Sequence, residues 1–362
     1  MGIGQRSTER NRGCFAASSP NPHPHPPPPR SHTRLHPIPC RFPHPSVTLS
    51  SVKLERDPVW GPVFNQFVTG IADRLRDFIE FLPQPLTRSG GRWLGRLAAA
   101  IVKGKLKFAA DQAELALGPG GGRIAAESVL EFGQILFECM QITSMFSRAR
   151  FRRRVTVVGE ENLRAARALG KGVIAVSAHL GNWEIGAVVL GHLGHPPTWL
   201  LRPIENPGVQ ELLNDARASA GIHVIEKWGG LREAIHVLRR GEVLAMLVDQ
   251  DARDQGVFVP FFGREASTLK SPALLSHRTG APIVPFAAMR QRDGKFLVEI
   301  GEGFVAQGSV DQEADLEKST ARFTKTIEDW IRRFPEQWLW VHRRWKTQRK
   351  GMPAATGEAT TS

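Results

Sequence analysis

Val173-Ile174-Ala175-Val176-Ser177-Ala178-His179-Leu180-Gly181-Asn182-Trp183-Glu184 is the stretch on which the reading of the fold turns. Its first half is continuous, apolar and β-branched, as expected of a parallel strand covered on both faces. A histidine leaves that strand, a Gly-Asn turn follows, and a helical pattern opens at Trp183 and runs to Leu193. Reactive groups in α/β sheets gather at such carboxyl ends of strands. His179 is therefore a candidate general base, and Glu184, five residues on, a candidate for orienting its ring and stabilising the imidazolium. The bare spacing is not specific. A capping histidine followed by a first-turn helix acid would read the same way. Asp249 and Asp251, which follow the apolar run Val243 to Val248, compete with Glu184 for the orienting role. Asn182 and the backbone amides after His179 are candidates for holding an oxyanion, or Asn182 is a plain N-cap.

Outward from this block, strand and helix patterns alternate. Strand candidates are Val155 to Val158, Val173 to Ala178, Thr198 to Arg202, His223 to Ile225, Val243 to Val248, Ile283 to Ala287 and Phe296 to Ile300. Helices are expected near Glu161 to Leu169, Trp183 to Leu193, Val209 to Ala220, Leu231 to Arg240, Pro272 to Arg278 and Asp315 to Phe334. The fold class is α/β, a mostly parallel sheet flanked by helices. The G-x-S-x-G turn of serine hydrolases is absent, which disfavours that class.

The N-terminal part reads differently. Residues 1–51 form a Pro/His-rich tail, including Asn21 to Arg30, that cannot bury enough apolar surface to fold; the reading places the start of the native chain near Val52. Residues 52–154 form an amphipathic helical region. Phe64, Phe67, Val68, Ile71, Leu75, Phe78, Ile79 and Leu82 recur at helical spacing and stop at Pro83. A second helix is expected from Trp93 to Leu117 and a third from Ile124 to Phe146, ending in Arg148, Arg150, Arg152, Arg153 and Arg154. Such stripes either pack on a core or lie in a membrane surface, and an arginine cluster beside an apolar helix suits a lipid headgroup layer. Residues 155–350 are the α/β core, and 351–362 a second disordered tail.

The formal net charge is +13. The tail carries six Arg in its first 50 residues, so the body is also basic and suits an anionic partner. No nucleic-acid-binding signature accompanies the charge, so nucleic acid is not expected as a partner. Cys14 and Cys40 lie in the tail and Cys139 alone in the body, which excludes a disulfide framework there and fits a reducing compartment. No apolar run is long enough for a transmembrane helix.

His179-Leu-Gly-Asn-Trp-Glu184 resembles the H-F/L-G-N-W-E block of the bacterial lipid A biosynthesis (lauroyl and myristoyl) acyltransferases. These belong to a wider glycerolipid acyltransferase group whose mycobacterial members acylate phosphatidylinositol mannosides. Four further blocks stand in the family's order. They are Arg202-Pro-Ile-Glu-Asn-Pro207, Asp249-Gln-Asp251 with Val259-Pro-Phe-Phe-Gly263, Thr279-Gly-Ala-Pro-Ile-Val-Pro285, and Pro335-Glu-Gln-Trp-Leu-Trp340 with His342-Arg-Arg-Trp-Lys346. The resemblance runs from about Asp57 to Lys350.

That resemblance implies an O-acyltransferase taking a fatty acyl chain from acyl carrier protein or coenzyme A to a hydroxyl of an anionic glycolipid. It implies His179 as base, Glu184 as orienting acid and Arg202 as a grip on a phosphate or the acceptor headgroup. In the phosphatidylinositol mannoside branch a downstream carboxylate shares the orienting role. The resemblance further implies no metal or bound cofactor, and peripheral or monotopic attachment at the cytoplasmic face of the inner membrane. Two rivals stand beside this reading: the same chemistry on a phosphatidylinositol mannoside or other polar lipid, and a membrane- or carrier-binding module without catalysis.

Overall fold

The computed structural model describes residues 74, 78–79, 82–101, 103–142, 151, 153–202, 207–226, 230–309 and 313–349. The tails at 1–51 and 351–362, most of the expected helix over 58–82, the residues Arg148, Arg150 and Arg152, and Pro203 to Asn206 lie outside them.

Three helices precede the sheet: α1 (Gln84–Ile101), α2 (Lys103–Leu117) and α3 (Gly121–Met140). The helix expected from Trp93 to Leu117 falls on α1 and α2, with residue 102 between them outside the described residues. α1 and α3 cross at close range through Gly91, Gly95 and Gly133. A Cβ on Gly91 would stand 2.6 Å from Gln134 Cα, so the seam tolerates no side chain there. Among the described residues no helix is long and apolar enough to cross a membrane.

Then follow β1 (Val155–Val158), α4 (Glu160–Ala168), β2 (Val173–Ser177), α5 (Trp183–His192), β3 (Pro197–Leu201), α6 (Pro207–Ser219), β4 (His223–Glu226), α7 (Leu231–Arg239), β5 (Val243–Leu247), β6 (Val257–Phe261), β7 (Arg264–Thr268), α8 (Ser271–Thr279), β8 (Ile283–Arg290), β9 (Phe296–Ile300) and α9 (Glu313–Arg333). The described residues form a seven-stranded sheet in the order β1-β9-β8-β2-β5-β3-β4 and a separate β6-β7 hairpin. The strands from β8 to β4 are mutually parallel; β9 runs antiparallel to β8 and takes β1 with it.

The two-sided cover explains the unbroken apolar run at β2. Ile174 and Val176 pack with Val237 of α7, Leu275 of α8 and Ile327 of α9. Val173 and Ala175 pack in a second core with Leu163 of α4 and Val189 of α5. Alternate residues of one strand thus serve two cores. Burying a Val or Leu fully contributes about 1.5–3 kcal/mol, so neither face of β2 accepts a polar residue cheaply. β2, β5, β3 and β4 end level at Ser177, Leu247, Leu201 and Glu226, β8 runs on to Arg290, and this carboxyl edge holds the site.

Candidate active site

In-register pairing builds the centre. Ser177 of β2 stands opposite Leu247 of β5, so the residues two positions further on, His179 and Asp249, emerge side by side. His179 Nδ1 lies 2.9 Å from Asp249 Oδ1, and the His179 backbone amide donates to Asp249 Oδ2 at 2.9 Å. Trp338 Nε1 donates to the same Oδ2 at 2.8 Å. Burial pushes the Asp249 carboxyl up. The charge of His179 and the hydrogen bonds from its ring, from Trp338 and from the His179 amide outweigh that and hold it well below the usual carboxylate range. An ionised carboxylate only accepts, so the Nδ1 proton faces it and Nε2 is the ring nitrogen turned away from the carboxylate. The His179 side chain retains 17 % exposure against 3 % for Asp249. Trp183 meets its ring edge-on at 4.9 Å, and the exposed Gln250 amide stands 3.5 Å from Nε2. The arrangement is an imidazole held at Nδ1 by a buried carboxylate, with Nε2 on the ring's far side.

The loop carrying His179 is clamped by backbone bonds. Leu339 N donates to His179 O at 3.1 Å, Gly181 N to Gln337 O at 3.0 Å, and Asn182 N to Ala288 O at 2.9 Å. Gly181 has φ 58, and a Cβ there would stand 2.1 Å from Ala288 O, so only glycine fits. The amides of Gly181 and Asn182, expected as oxyanion donors, are therefore already spent. Asn182 is itself fully buried. Its Oδ1 caps α5 by accepting from Ile185 N at 3.1 Å, and its Nδ2 donates to Glu138 Oε2 at 2.9 Å. Asn182 thus makes the N-cap bond expected of it as the alternative to oxyanion contact, and both ends of its amide face inward.

Glu184 has a different partner in the structure. Its carboxylate turns from His179 to Arg217 of α6, with Arg217 Nη2 at 2.7 Å from Oε1 and Nε at 3.1 Å from Oε2. Trp183 Nε1 donates to Glu184 Oε1 at 3.1 Å. Burial lowers the Arg217 pKa, but the hydrogen bond and charge of Glu184 raise it by more. The reason is geometric. Glu184 sits in the first turn of α5, and that turn aims it at the neighbouring helix. Asp251 does not reach His179 either; its Oδ2 accepts from Thr347 Oγ1 at 2.9 Å. Arg202 is exposed just past β3, on the same carboxyl edge and two strands from β2.

Sequence reasoning missed five residues around this centre: Arg290, Glu138, Glu131, Gln337 and the role of Trp338. Arg290, at the end of β8, is buried and gripped by Glu138 through Nε at 2.6 Å and Nη2 at 2.7 Å, and by Glu131 through Nη1. Gln337 exchanges two 2.8 Å bonds with the Arg290 backbone. Trp338 holds Asp249. The one local signal was Glu138, an acid inside an apolar helix, which requires a buried cation. A cleft of about 570 Å³ opens beside Arg290, lined also by Arg292, Lys295 and Arg333; His179 and Asp249 do not line it.

Comparison with known proteins gives one family. The family described as bacterial lipid A biosynthesis acyltransferase matches residues 74–347. A lipid A biosynthesis lauroyltransferase of Escherichia coli (strain K12) is 29% identical over 278 residues, spanning 75% of this chain and 89% of that protein. A lipid A biosynthesis palmitoleoyltransferase of the same strain is 28% identical over 280 residues, spanning 75% and 88%. A phosphatidylinositol mannoside acyltransferase of Mycobacterium tuberculosis (strain CDC 1551 / Oshkosh) is 28% identical over 163 residues, spanning 44% and 52%.

Proposed function

Since the chain belongs to the bacterial lipid A biosynthesis acyltransferase family and is an acyltransferase, we propose that it moves a fatty acyl chain from a thioester of acyl carrier protein or coenzyme A to a hydroxyl of a lipid A precursor, with His179 as general base and Asp249 as its orienting acid. The observation that carries this reading is the 2.9 Å contact of His179 Nδ1 with Asp249 Oδ1. His179 Nε2 takes the proton from the acceptor hydroxyl as its oxygen attacks the thioester carbonyl. The C–O bond forms, the C–S bond breaks, and the thiolate leaves with the proton that the imidazolium returns. General base help of this kind contributes roughly 10²–10⁴-fold in rate. Among the described residues no Ser or Cys is hydrogen-bonded to His179, which supports direct transfer without an acyl-enzyme.

Arg202, exposed on the same edge, fits the task of gripping a phosphate of the acceptor, since a planar fork matches phosphate oxygens. The broader coverage of the lipid A relatives favours a lipid A acceptor over a phosphatidylinositol mannoside. A membrane-surface location is supported by α1. Leu86, Trp93 and Leu97 recur at i, i+7 and i+11 and stay 56%, 63% and 47% exposed, with the exposed Arg96 beside them. We place that surface at the cytoplasmic face of the inner membrane, where an acyl thioester donor reaches a lipid acceptor.

Lipid mass spectrometry tests the reading in host cells lacking the gene and complemented with wild type or His179→Ala. A lipid A species short by one acyl chain, restored by wild type only, is expected. An unchanged lipid profile in every strain would contradict it.

A further inference from the structure

Arg344 is a fully buried guanidinium that rests on neutral groups. Its Nη1 donates to Ser267 O at 2.7 Å and its Nη2 to Thr268 Oγ1, while its own backbone amide donates to Gln112 Oε1 at 3.1 Å. The Nε–H is buried and donates to no described group, and among the described residues no carboxylate forms an ion pair with this side chain. A cation stripped of water without a contacting anion is costly, so its presence asks for a reason.

The reason lies in what stands beyond it. Arg344 Cζ sits 5.0 Å from the centre of the Phe261 ring. Phe261 meets Trp338 at 5.6 Å, and Trp338 donates to Asp249. An unbroken line of contacts therefore runs from Arg344 through two aromatic rings to the carboxylate that holds His179. Burial pulls the Arg344 pKa down to about 10, while the charges of Asp249 and Asp251 act on it through space in the opposite sense.

We propose that Arg344 is a positioning residue of the acyl-transfer site, a fixed cation that balances the Asp249 carboxylate and keeps His179 in its neutral, proton-accepting form. This rests on the reading of His179 as the base. A buried carboxylate alone beside an imidazole favours imidazolium, which has no lone pair to offer. A cation behind that carboxylate offsets the pull without occupying either of its oxygens, which are needed for Nδ1, the backbone amide and Trp338. Besides Asp249, the charged or titratable groups around His179 are His342 in the C-terminal segment and, past Trp183, the Glu184–Arg217 pair, while Asp251 acts on His342 and Arg344 through space. Of the two buried arginines, Arg217 is already neutralised by Glu184, whereas Arg344 has no contacting carboxylate among the described residues.

The test reads the His179 imidazole directly, by NMR titration of the full chain, beside the pH dependence of acyl transfer from a lauroyl thioester to an under-acylated lipid A precursor. Arg344→Gln removes the charge and keeps a donor for Ser267 O. Arg344→Met removes it with an apolar stem that the Phe261 face accepts, so one variant serves if the other does not fold. Arg344→Lys keeps the charge. Loss of the cation eases protonation of His179 by about tenfold, so its titration and the acid limb of the rate both move up by about one pH unit. The Lys variant should titrate as wild type does. A neutral variant whose His179 titration stays at the wild-type pH, whatever its activity, would overturn the inference. A wild-type rate that does not follow the His179 titration would instead overturn the base reading on which it rests.

Discussion

Both oxygens of Asp249 are held by one residue: His179 reaches Oδ1 with its ring and Oδ2 with its backbone amide, each at 2.9 Å. The carboxylate thus fixes the imidazole and the loop that carries it at once. Trp338 completes the set with a 2.8 Å bond to Oδ2.

Replacing Trp338 by Phe keeps most of the ring contacts and removes that bond. A hydrogen bond to a buried charge contributes about 1.5–3 kcal/mol. Trp338→Phe is expected to lower kcat by about 10-fold or more and to lower stability by a similar free energy, read by steady-state kinetics and urea melts. A variant equal to wild type in both would remove Trp338 from the site.

Glu184→Gln leaves the Arg217 guanidinium buried without its anion. Breaking one side of such a pair costs about 3–5 kcal/mol. The expected loss is in denaturation midpoint, with the rate per folded molecule within about tenfold of wild type, because His179 keeps Asp249. A stable Glu184→Gln protein with transfer abolished would restore Glu184 as the orienting acid.

The order of strands and helices from Val155 to Phe334 was legible because each strand carries its own apolar pattern and each helix its own period. What stayed hidden was non-local. His179 and Asp249 are 70 positions apart and meet only through the register of β2 with β5. Glu184 was nearer in sequence, but one helical turn carried it to Arg217. The β6-β7 hairpin also escaped notice. Its turn places Phe262 at φ 52 before Gly263 at φ 73, and a bulky residue in that region gives no turn signal. The Phe262 amide is held there by Glu328 of α9 at 2.6 Å, a tertiary cause that no local pattern reveals.

Gly181 carries a direct test of the clamp. Gly181→Ala combines a left-handed backbone with a Cβ driven into Ala288 O. A loss of about 3 kcal/mol or more, or a protein that does not fold, is expected by thermal or urea unfolding. A variant within about 0.5 kcal/mol of wild type would mean the loop is not clamped.

His342 supplies a pH signature. Burial lowers its pKa, with Asp249 opposing and His179 and Arg344 adding to the shift. Above the unfolded value of about 6.5 it is neutral in both states and costs nothing. As pH falls below that value the unfolded chain takes up the proton first, so stability declines until the lower folded value is passed. Asp249 adds its own loss at lower pH: its contribution is complete above about 4 and disappears as pH falls through its depressed folded value. His342→Gln should flatten the decline from about pH 7 to 5 and leave the later loss below pH 4 in place, read as urea midpoints against pH. An unchanged slope between pH 7 and 5 would show that His342 titrates alike in both states.

The measurement closest to the central claim is the single-turnover rate of acyl transfer by Asp249→Asn, with folding checked by circular dichroism. The asparagine keeps the size of the carboxylate but favours the wrong imidazole tautomer and no longer stabilises the imidazolium. A rate lower by about 10²–10⁴-fold in a folded protein is the expected result. A folded Asp249→Asn protein transferring acyl chains within about threefold of wild type would contradict the His179–Asp249 assignment.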